Sequence, residues 1–322
     1  MTRVVFHLGY PKTGTTTLQE FFVRQPAVHY LGKGLRDAAT SRADPRVGPS
    51  RAIANAVLSA DTTRFEAALP SLQATIADYL ADGLPVLISD EAFTLAEYMN
   101  IGLNSPTQVF TDHALIAGRL KQLWPEARIV VSSREQKSFL VSFYLQRLRG
   151  GMPFVSLREY VEAALATAAR RSMLNALRYD ELFETYLDLF GSEYVTLLPF
   201  ESYRRDFFSL VAATASALGI GTSELAAAWS GQHENERGRR HEHATWIHTA
   251  LSTNKLRLPD ALYRRLHGIF TLVPNSVDLD PDLADQLDEF FGPSNGRLAH
   301  MTGLALAEWG YALPADAAAT TA

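Results

Sequence analysis

The stretch His7-Leu8-Gly9-Tyr10-Pro11-Lys12-Thr13-Gly14-Thr15-Thr16-Thr17-Leu18-Gln19 decides how the rest of the chain is read. It continues Val4-Val5-Phe6, an apolar run suited to a buried strand, and it runs into Leu18, Phe21 and Phe22, spaced for one face of a helix. A strand over 4–8, a turn and a helix over 15–24 are expected. Glycines at such a junction let the backbone curl so that successive N–H groups point inward, and the helix N-terminus adds the positive end of its dipole. Thr13, Thr15, Thr16 and Thr17 contribute hydroxyls, and Lys12 contributes a point charge. Gly9 and Gly14 have the glycine spacing of a nucleoside triphosphatase loop, but Thr15 stands where that loop needs lysine. Here the lysine lies inside the loop, before Gly14. Such a segment is an anion cradle suited to phosphate.

Outward from this loop, Val28–Leu31, Leu84–Ser89, Arg128–Ser132 and Tyr194–Leu198 read as further short strands. Helical patterns over 67–81, 115–123 and 182–190 separate them, the last closed by Gly191. Strands alternating with helices imply βαβ units and a parallel sheet covered on both faces, so the fold class is α/β. Beyond about residue 207 the pattern is mainly helical. No internal repeat and no linker interrupts it. A single domain over 1–313 is therefore expected, with an α/β core over about 1–206 and a helical part over about 207–313. Residues 314–322 hold nothing large to bury and are expected to form a disordered tail.

Composition removes several classes of function. The chain has 322 residues, no cysteine and a formal net charge of −5. Disulfides, thiolate metal sites and cysteine nucleophiles are excluded. The mild acidity argues against nucleic acid as a partner. No apolar run has the length of a membrane-spanning helix and no signal-peptide pattern opens the chain, so a cytoplasmic location is expected. Lysine is confined to positions 12, 33, 121, 137 and 255, which draws attention to the one inside the loop.

Residues 7–19 resemble the 5′-phosphosulfate-binding loop of sulfotransferases that use 3′-phosphoadenosine-5′-phosphosulfate (PAPS), whose core is Pro-Lys-x-Gly-Thr-Thr. The segment looks most similar to the bacterial, carbohydrate-type branch. Eukaryotic cytosolic members usually carry Trp at the position of Thr17. The resemblance implies a P-loop-like central parallel β-sheet flanked by helices and a sulfotransferase domain whose donor-binding core precedes a helical acceptor or cap part. It implies PAPS as co-substrate held by Pro11, Lys12, Thr13, Gly14, Thr15, Thr16 and Thr17, with no metal. It also implies an Arg closing a strand and a Ser eight residues on, jointly gripping the donor's 3′-phosphate. Arg134 and Ser142 stand at those places, and a guanidinium fork with a hydroxyl suits phosphate. A late loop would close over the same phosphate, with Arg237 and Gly238 as its candidates. The acceptor implied is a carbohydrate or glycolipid hydroxyl.

The base for the acceptor's proton is expected at the end of a neighbouring strand. Leu84–Ser89 leads into Asp90-Glu91, and Glu91 stands where carbohydrate sulfotransferases carry a glutamate base. On an extended strand Asp90 and Glu91 would point opposite ways, leaving one to face the donor. Asp90 and His113 remain rivals. Leu197–Tyr203 resembles a strand-to-helix segment of the family and reads as structural, and Phe291–Leu298 resembles its C-terminal Asn-x-x-Leu helix.

Two other readings stay open. Pro85–Glu91 also looks like a Walker-B strand, which would suit an ATP-dependent kinase or NTPase using Asp90 and Glu91 with magnesium. A catalytically idle nucleotide-binding module is the other. His233, His241, His243 and His248 cluster in sequence, but Thr245 stands where a zinc-protease helix needs its second histidine.

Overall fold

The computed structural model describes residues 4–32, 47–95, 112–149, 156–168, 173–204, 206–223 and 277–314. Arg237, Gly238 and the histidine-rich stretch lie outside the described residues.

The loop-bearing strand is the centre of the sheet. β1 (Val4–Gly9) is buried along its whole length. It pairs in parallel with β3 (Val86–Ser89) on one side and β4 (Arg128–Ser133) on the other. β2 (His29–Gly32) flanks β3 and β5 (Val195–Pro199) flanks β4, giving the order β2-β3-β1-β4-β5, all parallel. The α/β class read from the alternation of strands and helices is the observed one.

Alternation along β1 explains the two layers that cover the sheet. Val4, Phe6 and Leu8 join the larger core with Ile88, Ile129 and Val131. On that face pack α2 (Val47–Val57), α3 (Thr62–Leu80), α4 (His113–Leu123), α5 (Gln136–Arg149), α6 (Leu157–Ala166), α7 (Met173–Ala176), α8 (Tyr179–Phe190) and, much later, α11 (Pro281–Thr302). Val5 points the other way, into a smaller core with Leu87 and Val130. That core is closed by α1 (Thr15–Phe22), through Leu18, Phe21 and Phe22, and by α10 (Phe207–Leu218), which follows the short α9 (Phe200–Arg204).

The strands shift from the sequence reading by one or two residues, α8 begins three residues earlier than expected, and α2 and α3 differ more. α2 carries Gly48 and Pro49 in its first turn, where breaker residues mask a helix start. α3 begins at Thr62 rather than 67, because Asp61 accepts from the N–H groups of Thr63 and Arg64. Pro70 lies inside both the expected and the observed helix.

The described end of the chain returns to the core. Asn295 of α11 is fully buried and exchanges hydrogen bonds with Gln136 at the start of α5, 2.7 and 3.2 Å, while donating to the Ala312 carbonyl at 3.0 Å. Arg297 donates to the buried Asp180 at 2.7 Å, and Ser294 donates to the same carboxylate. Replacing Asn295 by Ala leaves Gln136 and a carbonyl short of partners at a buried position, which costs about 1–3 kcal/mol. Urea unfolding of N295A should show a lowered midpoint with an unchanged slope; an unaltered midpoint would contradict this account.

Candidate active site

The carboxyl ends of β1, β3 and β4 lie side by side, where open parallel sheets bind their ligands. Their continuations supply the loop at residues 10–14, the Asp90-Glu91 pair and Arg134. Lys12 and Gly14 both adopt left-handed backbone angles, φ 70° and 71°. That conformation is uncommon for a side-chain-bearing residue such as Lys12. Gly9 is obligatory for a different reason: a Cβ there would stand 2.1 Å from the Thr15 methyl, so the strand end could not pass the first turn of α1.

Four carbonyl oxygens of residues 9–13 are held by side chains. Thr94 Oγ1 donates to the Gly9 carbonyl at 3.2 Å, and Thr13 Oγ1 to that of Tyr10 at 2.6 Å. Arg134 Nη1 donates to the Lys12 carbonyl at 2.9 Å, and the Tyr203 hydroxyl to that of Thr13. Tyr10 is buried, donates to the Ala176 carbonyl at 2.6 Å and packs edge-on against Phe139 and Tyr179. Among the described residues no side chain caps α1, so its first amides keep the capacity to bind an anion. Pro11, Thr13 and Thr15 are buried, while Lys12, Thr16 and Thr17 are half-buried at the mouth.

Glu91 meets this loop directly. β3 ends at Ser89, and Glu91 opens a single 3₁₀ turn, Glu91–Phe93. The buried Glu91 carboxylate accepts a hydrogen bond from Thr15 Oγ1. Asp90 keeps extended backbone angles, φ −146° and ψ 132°, and caps the turn, its carboxylate accepting from the Ala92 N–H at 2.9 Å. His113 is the first residue of α4, behind its cap Asp112, and burial pushes its imidazole down to about 4. No hydrogen bond joins it to the loop among the described residues.

Arg134 leaves β4 beside the loop. Besides gripping Lys12, its Nε donates to Ser138 Oγ at 3.0 Å and its guanidinium lies 4.8 Å from the Phe200 ring centre. Ser142 is buried one turn beyond Ser138 on α5, on the same helix face. The Tyr179 hydroxyl fastens the Arg134 carbonyl at 2.7 Å. Behind Arg134, Glu135 accepts from the amides of Lys137 and Ser138 and so caps α5, and Glu201 accepts from the Glu135 amide at 3.1 Å. Burial raises both carboxyls above their ordinary range.

Sequence reasoning passed over His7 and the supporting role of Tyr203. His7 is buried in mid-strand, its Nδ1 2.8 Å from Ser89 Oγ on β3 and its Nε2 2.9 Å from Ser132 Oγ on β4. A histidine inside an apolar strand was the available signal, since a buried polar group needs partners. The partner of Tyr203, 190 residues away along the chain, had no sequence signal at all.

A family model described as "Sulfotransferase family" matches residues 4–224. Among solved structures, a sulfotransferase from Alicyclobacillus acidocaldarius aligns with a TM-score of 0.56 at 17% identity, covering 96% of this chain and 98% of its own. A mouse sulfotransferase complexed with PAP aligns at 0.45 with 14% identity, covering 91% and 83%. The sulfotransferase domain of a Synechococcus olefin synthase aligns at 0.40 with 15% identity, covering 89% and 94%. The first of these likenesses is one of fold. A search of curated protein sequences returns no match.

The His7 cross-link gives the strand ends a pH limit. Burial lowers the imidazole from 6.5 to about 3. As pH falls the unfolded chain takes up this proton first, so the contribution is complete above about pH 6.5 and is lost progressively below it. Glu135 and Glu201, with raised values, act in the opposite sense but are present in wild type and variant alike. The non-titrating H7Q should therefore show a stability–pH curve flatter than wild type by about 1.4 kcal/mol per pH unit between pH 6 and 4. Parallel urea-derived curves would refute the assignment of a neutral buried imidazole.

Proposed function

The chain belongs to the sulfotransferase family and is an enzyme of sulfuryl transfer; on that premise we propose that it moves the sulfuryl group of PAPS onto an acceptor hydroxyl with Glu91 as base. The observation that carries this reading is the hydrogen bond from Thr15 to the buried Glu91 carboxylate. It brings a carboxylate to the loop whose geometry suits a phosphate, at the very position where an ATP-hydrolysing loop would have lysine. The ATP–magnesium reading loses its main cation there.

The loop fits the donor on chemical grounds. Four of its carbonyls are occupied by Thr94, Thr13, Arg134 and Tyr203, no described side chain caps the helix end, and Lys12 stands at its mouth. In the proposed reaction the acceptor oxygen attacks sulfur in line and gives its proton to Glu91. The bond from sulfur to the 5′-phosphate oxygen breaks, and adenosine 3′,5′-bisphosphate leaves. Lys12 and the N–H groups of the loop and of the first turn of α1 offset the charge that grows on the leaving phosphate, while Pro11, which has no N–H, shapes the loop. Arg134, with Ser142, would take the 3′-phosphate, and Arg237 with Gly238 would complete that subsite. Among the rivals, Asp90 spends its carboxylate on a turn and His113 is made weakly basic by burial, which supports Glu91. A carbohydrate or glycolipid acceptor and a cytoplasmic location complete the proposal. No described helix is long and apolar enough to cross a membrane.

Titration calorimetry with adenosine 3′,5′-bisphosphate and with ATP–magnesium tests the donor directly: preference for the former is expected, and preference for the latter would overturn the reading. K12A should cut turnover by about 10²–10³-fold, the scale of one lost transition-state donor. E91Q should lower turnover by about 10²–10⁴-fold while leaving bisphosphate affinity nearly intact; equal loss of both would remove Glu91 from the base role.

A further inference from the structure

Beneath the loop runs a buried line of polar groups that the proposed chemistry does not touch. The Gln19 side-chain amide lies 3.3 Å from Ser89 Oγ, Ser89 lies 2.8 Å from His7 Nδ1, and His7 Nε2 lies 2.9 Å from Ser132 Oγ. Beside Ser132 stands Tyr203, whose phenol proton goes to the Thr13 carbonyl. Gln19, Ser89, His7, Ser132, Thr13 and Tyr203 are all buried.

The Thr13 carbonyl only accepts, so Tyr203 donates to it. Both ring nitrogens of His7 have a serine hydroxyl within hydrogen-bond distance, so the buried neutral imidazole is satisfied on both sides.

The end of the line bears on function. The peptide between Thr13 and Gly14 is trans, so its C=O and N–H point in opposite directions. With the carbonyl drawn inward to Tyr203, the Gly14 N–H faces outward, into the cradle. The rings of Tyr203 and Phe200 stand 3.5 and 3.6 Å from the place a Gly14 Cβ would occupy and back the peptide from behind. We propose that Tyr203 is a positioning residue for the 5′-phosphate, keeping the 13–14 peptide in its donor-binding orientation. Without that hydrogen bond the peptide is free to turn over, which replaces an N–H facing the anion by a carbonyl oxygen. This inference rests on the loop being the 5′-phosphate site.

Y203F keeps the ring and removes the hydroxyl. Calorimetry should show adenosine 3′,5′-bisphosphate binding about 10-fold more weakly to Y203F, the scale of one charge-assisted hydrogen bond, with adenosine 3′-monophosphate bound as by wild type. Thermal unfolding should shift far less than either loss of fold or loss of core would require. Equal weakening for both nucleotides, or no weakening, would overturn the inference while leaving the sulfotransferase reading intact. If wild type shows no preference for the 5′-phosphorylated nucleotide, the phosphate-loop reading fails and this inference falls with it.

Discussion

A backbone loop that receives an anion on its amides must first dispose of its own carbonyl oxygens, because each one facing the ligand would repel it. Most of the long-range polar contacts around residues 9–14 answer that requirement. Thr94 comes from the end of β3, Arg134 from the end of β4 and Tyr203 from the helix after β5, and each holds one carbonyl. The parallel sheet matters because it delivers these elements to one edge. Strand order places β1 between β3 and β4, so the loop is bordered on both sides by the strands whose extensions brace it.

Arg134 shows how economical the arrangement is. One guanidinium fastens the Lys12 carbonyl, meets Ser138 and covers the Phe200 ring. In the proposed donor complex it would also neutralise a phosphate. Binding at the 3′ end of the donor and the shape of the loop at its 5′ end would then share a residue, so the two ends of the nucleotide would be sensed together. A lysine could not substitute, since the planar fork makes several directed contacts at once.

Much of this was legible in the chain because it depends on local pattern. The β-branched runs around Val4, Ile88 and Val130 predicted buried parallel strands, and Gly9, Lys12 and Gly14 predicted the loop. The strand end that leads into Asp90 and Glu91 was legible as well, but not the 3₁₀ turn that follows it, which Asp90 caps and Glu91 opens. Helix α2 was missed because Gly48 and Pro49 resemble a loop. Tyr203 and His7 escaped for a deeper reason. Their importance lies in proton donors and acceptors that meet only after β1, β3, β4 and α9 have come together, and no spacing rule carries such information.

The same bracing has a temporal side. Residues 9–14 are near the beginning of the chain, yet their fastening joins positions separated by 122 residues at Arg134 and 190 at Tyr203. Closing loops of that length is slow relative to forming helices, and contacts of high sequence separation retard folding. During synthesis the segment that is made first therefore waits for its supports until α9 has emerged. A nascent chain ending before residue 200 would already hold every strand of the sheet, but it would present a loop with the Thr13 carbonyl unrestrained. On the proposed reading, competence to bind an anion would be a late event of folding, acquired only when the chain beyond β5 reaches back to the loop after β1.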